Sequence, residues 1–239
     1  MKTAIYTMCD GPPDYAEYCL PTIEHYAKKT GSDLIVMDNT SLLDEYPNNH
    51  FLLYECYKHF VNSDYDRMLF MDVDILINPE APNVFEVFPE GMWLRQGWDW
   101  EKVANYAKSA FGEDVSSYAK RYYSCGFAVV GKPEAKKLVE LFGTKPWVIG
   151  PWGGNQGQFN YFLSQTDIKV NVLPYKWHFT RNWATHHDAW KFGGDPKAAL
   201  RLCGCESLDE VFVIHYAGGE KVKQLTEDML FEKWSVKDE

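Results

Sequence analysis

The chain has 239 residues and a net charge of -10, with 46% hydrophobic and 16% aromatic residues. The length suits one large domain or two small ones with a real core, and the apolar content excludes a disordered chain. The acidic balance argues against nucleic-acid binding and against resting on anionic lipid, so a phosphate ligand would need local help from a metal, a lysine or helix N-termini.

In chain order, Thr3–Met8 reads as a first strand, being too short and polar for a signal peptide. A turn follows at Asp10-Gly11-Pro12-Pro13. Residues 15–29 carry helical periodicity, with Pro21 an awkward break and Gly31 an end signal. Residues 33–38 form a second buried strand, and residues 51–61 a helix. Residues 66–79 are a long apolar run closed by Asn78-Pro79, which predicts a buried strand of an α/β sheet. Strand, helix, strand, helix, strand is the opening of a parallel sheet with crossover helices.

Further on, residues 91–95 predict a strand and 99–111 a helix, with a polar segment of undefined structure up to Arg121. An apolar strand spans 124–131. Pro133 opens a helix running to about Phe142, as suits a proline in a first turn. A glycine-rich loop at 150–154 leads to a helix at 155–165. A short strand covers 170–174, and 175–196 is irregular and rich in Trp and His. Residues 211–214 predict a strand ending at His215, and 226–234 a closing helix. No apolar run reaches the ~20 residues of a membrane span, and no repeat or linker divides the chain, so one domain over 1–239 is expected. The six scattered cysteines fit reduced thiols in a cytoplasm better than a disulfide framework.

Three places carry chemistry. Asp72 and Asp74 interrupt the apolar run two residues apart, so on a strand they would share a face. Two like charges in apolar surroundings need a partner, and a hard divalent cation is the simplest. A pair of solvated surface acids fits the same spacing. The segment His215-Tyr216-Ala217-Gly218-Gly219-Glu220-Lys221 offers an imidazole at a strand end, a glycine turn whose amides could approach phosphate, and a cation. Alone, His215 would more often be a satisfied core histidine. In the third place, Gln156 and Asn160 share a helix face, while Asn155 could simply cap that helix.

Taken together, these segments resemble the retaining glycosyltransferases of family 8, the glycogenin and lipopolysaccharide galactosyltransferase type. Residues 66–74 look like that family's strand leading into its Asp-x-Asp motif. Tyr123-Ser124-Cys125-Gly126-Phe127 resembles its Phe-Asn-x-Gly-Val segment, with Ser124 in place of Asn. Gly153-Gly154-Asn155-Gln156-Gly157-x-x-Asn160 is similar to Gly-Gly-Asp-Gln-Gly-x-x-Asn, and His215-x-x-Gly218-x-x-Lys221 matches His-x-x-Gly-x-x-Lys without the Pro-Trp that often follows. The resemblance implies a GT-A (Rossmann-like) fold, α/β with a mainly parallel central sheet flanked by helices. It further implies a UDP-sugar or related nucleotide-sugar donor, a glycan or other hydroxyl acceptor, and Mn²⁺ or Mg²⁺. By the same match, Asp72, Asp74 and His215 would ligate the metal, with Val73 between the two acids. Gly218 and Lys221 would hold the diphosphate, Thr7 and Tyr15 would lie on the uridine side, and Asn155 and Gln156 would face the transferred sugar. Asn155 stands where the family carries Asp. An amide cannot supply a carboxylate's charge, so a nucleotide-sugar-binding protein or sugar sensor with little transfer is the rival reading, and a divalent-metal phosphohydrolase a third.

Overall fold

A computed structural model of the chain describes residues 1–9, 13–38, 45–97, 101–117, 119–149, 155–184, 195–218 and 220–234. The apolar run contributes β3 (Arg67–Asp72), whose side chains alternate between two buried layers. Met68 and Phe70 pack with Ala4, Tyr6, Tyr54 and Tyr57. Leu69 and Met71 pack on the other side with Ile5, Ile23, Phe127 and Val129. Because both faces are covered, the strand needs apolar residues at every position rather than at alternate ones.

Around β3 a six-stranded sheet forms in the order β2-β1-β3-β6-β5-β7. Its other strands are β1 (Thr3–Met8), β2 (Asp33–Met37), β5 (Met92–Gln96), β6 (Tyr123–Gly131) and β7 (Val170–Val172). β1 is parallel to both β2 and β3, β6 is antiparallel to β3 and β5, and β5 is parallel to β7. The sheet is thus mainly parallel, as expected, with β6 opposed to the rest. One layer of helices comprises α2 (Leu52–Asn62), α4 (Glu101–Phe111), α5 (Lys132–Val139) and α6 (Gln156–Ser164), which supply Leu53, Val103, Leu138 and Phe159 to the first core. The other layer holds α1 (Ala16–Thr30) and the short α3 (Val84–Val87), which supply Ile23, Tyr26 and Phe85 to the second.

The structure corrects the predicted elements at five places. The second strand, β2, is not buried: it lies at the edge of the sheet and its residues are half-buried or exposed. The run 66–79 is not one strand. It breaks in a turn at Val73 and Asp74, and β4 (Ile75–Ile77) enters a second, three-stranded sheet of order β4-β9-β8, with β8 (Phe179–Thr180) and β9 (Val213–His215). The break falls just after Asp72, and Asn78 secures the new direction by donating to the carbonyls of Asp209 and Val211. Pro21 does not interrupt α1. Pro21 and Glu17 are both exposed, so the carbonyl that loses its N–H partner faces water. The closing helix starts earlier, at Lys221, as α8 (Lys221–Asp228). It ends at Met229 with φ 51°, and α9 (Leu230–Trp234) follows. Finally, α7 (Pro196–Leu202) was not foreseen, although Asp195 accepts from Lys197 N–H and Pro196 opens the first turn.

Helix α6 lies against α4 through a close approach at Gly157, where an added Cβ would stand 2.7 Å from the ring of Tyr106. Tyr106 is buried and its hydroxyl is engaged with the Val148 carbonyl and Gln158. It therefore cannot swing aside without leaving polar groups unpaired. Gly157→Ala should destabilise the protein by about 1–3 kcal/mol through overpacking, read as a lower urea midpoint with an unchanged slope. An unshifted midpoint would mean that the two helices can separate freely.

Candidate active site

The C-terminal ends of the parallel strands β1 and β3 lie side by side, with Met8 paired to Asp72. This is the edge at which open α/β sheets bind ligands. Asp72 is the last residue of β3 and points to the same side as Phe70. Asp74 is not on the strand, so the two acids do not converge by sharing a strand face. They converge because the chain turns, and because β4 then pairs with β9 in the register Ile75 to His215. The Tyr216 amide donates to the Asp74 carbonyl at 2.9 Å and fixes the corner.

The result is a cluster in which ligand atoms of Asp72, Asp74 and His215 all lie within 4.8 Å of one another. His215 Nε2 is 3.1 Å from Asp74 Oδ1 and 3.6 Å from Asp72 Oδ2. Asp74 Oδ1 is buried and accepts no well-directed hydrogen bond. A buried carboxylate oxygen left in that state suits a cation, and two carboxylates with one imidazole suit a divalent ion of the Mn²⁺ or Mg²⁺ kind. The donor set therefore fits the metal that the sequence motifs implied. Gly126, on β6, makes room for it: a Cβ there would stand 2.3 Å from Asp72 Oδ2 and 2.9 Å from His215 Cε1.

Lys221 completes the group. It opens α8, and its Nζ lies 2.5 Å from Asp74 Oδ2 and 4.4 Å from the centroid of the Tyr15 ring. Burial and the adjacent Asp74 push the Asp72 carboxyl upward. Burial would raise Asp74 too, but His215 and Lys221 outweigh it and hold that carboxyl well below the usual range. Burial would lower His215 and Lys221, yet Asp74 overrides it and raises both. The site thus carries its own countercharges, which a divalent ion would displace as protons or as a freed lysine.

Two hollows meet at this cluster. One is lined by Met8, Cys9, Tyr15, Asn49, His50 and Val73. The other, of about 280 Å³, extends past Asp72, Asp74 and Lys221 to Lys102, Tyr106, Tyr122, Asn155 and Gln156, with Gly218 and Ala217 on its wall. The structure thus gathers Tyr15, Asp72, Val73, Asp74, Asn155, Gln156, His215, Gly218 and Lys221 around one connected space. Thr7 differs: it is fully buried, its hydroxyl has no partner, and it lines neither hollow. Asp38 is exposed beyond β2. Asp10, Asp99, Gly153, Gly154 and Gly219 lie outside the described residues.

Asn155 occupies the N-cap position of α6, but its side chain is used elsewhere. Its side chain makes no capping bond to α6. The amide instead donates to the His50 carbonyl, and its oxygen accepts from Cys125 Sγ at 3.6 Å. Gln156 accepts from the Cys125 amide at 3.3 Å and donates to Tyr122 Oη at 2.6 Å. Asn160 accepts from the Tyr123 amide and donates to the Tyr123 and Gln156 carbonyls, so it anchors β6 to α6 from a buried position. Sequence reasoning missed His50, Lys102, Tyr106, Tyr122 and His178. None stands in a recognisable motif; only tertiary proximity recruits them.

No protein-family model matches the chain, and no curated protein matches it significantly. Solved structures do. A glycosyltransferase involved in glycosylation of the major capsid of PBCV-1 superposes with a TM-score of 0.56 at 13% identity, covering 98% of this chain and 100% of that one. The galactosyltransferase LgtC, in complex with donor and acceptor sugar analogues, gives a TM-score of 0.54 at 12% identity over 99% and 98% of the two chains. The glycosyltransferase GlyE of Streptococcus pneumoniae TIGR4 gives 0.55 at 13% identity, over all of this chain and 61% of that one. Over nearly its whole length, this chain therefore has the fold of these glycosyltransferases, the GT-A architecture that its motifs implied.

Proposed function

We propose that the protein is a metal-dependent retaining glycosyltransferase that moves a sugar from a nucleotide-sugar, a UDP-sugar by the motif resemblance, to a hydroxyl acceptor. One observation carries this reading: Asp72, Asp74, His215 and Lys221 converge where two hollows meet, at the strand ends of a glycosyltransferase fold. Asp72, Asp74 and His215 would hold the metal. When bound there, a divalent cation neutralises the diphosphate and stabilises the charge that builds on it as the sugar departs.

The chain's own residues supply the rest. Lys221 would turn from Asp74 toward the diphosphate and hold its oxygens as a point charge. Gly218, at φ 99°, keeps the backbone free of a Cβ beside that path. Tyr15 and Val73 line the hollow suited to the nucleoside, and Asn155 and Gln156 line the one suited to the sugar. The side chains at the second hollow are held in place by bonds to Tyr122, Cys125 and His50, which limits their reorganisation during reaction.

A binding protein with little transfer is favoured by one specific feature. The position where the resemblance expects a carboxylate holds Asn155, and its amide nitrogen is committed to the His50 carbonyl. A carboxylate could not make that bond, so this fold is adapted to the amide.

Three measurements test the site and its chemistry. In a screen of nucleotide-sugars, the wild type should bind UDP with Mn²⁺ dependence, and Asp72→Ala should abolish that dependence; UDP affinity indifferent to Mn²⁺ in both proteins would end the metal reading. Lys221→Ala should weaken UDP tenfold or more while sparing uridine, since a charge-assisted contact is worth about 1.5–3 kcal/mol. Equal weakening of both ligands would place Lys221 elsewhere. Asn155→Asp should raise UDP-sugar turnover if a carboxylate's charge limits the rate, on the order of 10²–10³ for one pre-organised group. It should also lower thermal stability, because the His50 carbonyl loses its donor. Faster turnover supports an impaired transferase, whereas unchanged turnover removes that position from the chemistry.

A further inference from the structure

His178 lies behind the metal-ligand cluster and belongs to no motif. It closes a short 3-10 turn just before β8, and β8 pairs in parallel with β9, which ends at His215. That pairing brings the two imidazoles together: His178 Nε2 is 3.0 Å from His215 Nδ1, and the rings stack with centroids 5.2 Å apart. His178 is wholly buried, and the Phe127 ring lies 5.7 Å away between centroids. Its remaining nitrogen, Nδ1, has no hydrogen-bond partner. Such an orphaned group in a core costs stability and calls for a reason.

The reason lies in the ligand. His215 turns Nε2 toward Asp72 and Asp74, and a nitrogen that is to coordinate a cation must offer its lone pair. The ring proton then sits on Nδ1 and needs an acceptor. We infer that His178 is a positioning residue, whose Nε2 accepts the Nδ1 proton of His215 and so fixes the ring orientation and the tautomer in which His215 can hold a divalent cation. Metal-binding histidines commonly donate their second N–H to a carboxylate, a carbonyl or a water; here a second imidazole takes that place. An imidazole suits this interior better than a carboxylate, because it adds no third negative charge beside Asp72 and Asp74. The orphaned Nδ1 follows directly, since accepting at Nε2 leaves His178 with its own proton on Nδ1.

The inference rests on the metal reading above, and the test keeps the two apart. Mn²⁺ affinity is measured on the full chain, from the electron paramagnetic resonance of free Mn²⁺, for wild type, His178→Gln and His178→Phe. The glutamine amide oxygen reaches about as far as Nε2 and can accept, whereas phenylalanine keeps the packing and cannot. His178→Phe should bind Mn²⁺ some 10- to 100-fold more weakly, and His178→Gln should recover most of that loss. Equal affinity in all three proteins, or glutamine as weak as phenylalanine, overturns the role of His178. Failure of the wild type itself to bind Mn²⁺ overturns the metal reading and this inference with it. If the variants do not fold, ¹⁵N-histidine spectra of the Mg²⁺-loaded wild type read the same bond: both His178 and His215 should carry their proton on Nδ1. A proton on His178 Nε2 would refute the inference.

Discussion

The site depends on one corner of the chain. At Val73 and Asp74 the backbone leaves the large sheet, and the Tyr216 amide grips the Asp74 carbonyl as the chain enters the small one. The pairing of β4 with β9 then leaves His215 no choice but to stand against the two acids. Around that corner, Asn78 ties β4 to the 209–212 segment, and the Thr22 hydroxyl accepts from the Ile77 amide, locking the small sheet to α1. Side-chain atoms of Asp72, Asp74 and His215, separated by up to 143 residues of sequence, are thereby held within 4.8 Å of one another.

Burying such a cluster without a cation would be costly if it were not neutralised. Lys221 and His215 supply the countercharge, and the lysine is itself held in place from behind. Its helix, α8, ends in Asp228, which takes both Nε and a terminal nitrogen of Arg181 and a third bond from Tyr216 Oη at 3.0 Å. A fork-to-fork pair of this kind is geometrically demanding, so it orients α8 as a unit and points its first residue at Asp74. Because Tyr216 follows His215 directly, the same strand end positions the cluster's imidazole and buttresses the helix that carries the lysine.

The aromatic richness serves the core first. Tyr54, Phe142, Trp147 and Phe162 form an aromatic cluster of edge-to-face and tilted pairs with ring centroids between 4.6 and 6.2 Å apart. This cluster backs the helix that presents Asn155 and Gln156, and the Tyr54 hydroxyl reaches the Asn155 carbonyl at 3.3 Å. Rigid aromatic packing of this sort gives the polar side chains of the second hollow a firm base.

What the sequence determined by itself was the sheet and the list of candidates. Continuous apolar runs broken by helical periodicity read as an α/β sheet with crossover helices, and the motif segments named Asp72, Asp74, His215 and Lys221, the residues of the charged cluster. The tertiary structure alone decided how those residues meet. Alternation along a strand suggested that Asp72 and Asp74 share a face, yet they meet across a turn, since a two-residue spacing carries no information about where a strand stops. Thr7, assigned to the nucleoside side by motif position, is fully buried within β1 and lines neither hollow, because facing direction depends on what packs on each side. Asn155 reads as a helix cap from its neighbours and proves to be bonded to a carbonyl 105 positions away. His178 carries no signal at all: a lone histidine in an irregular segment acquires its meaning only when β8 is laid beside β9, and contacts of that range are set by folding rather than by any local pattern.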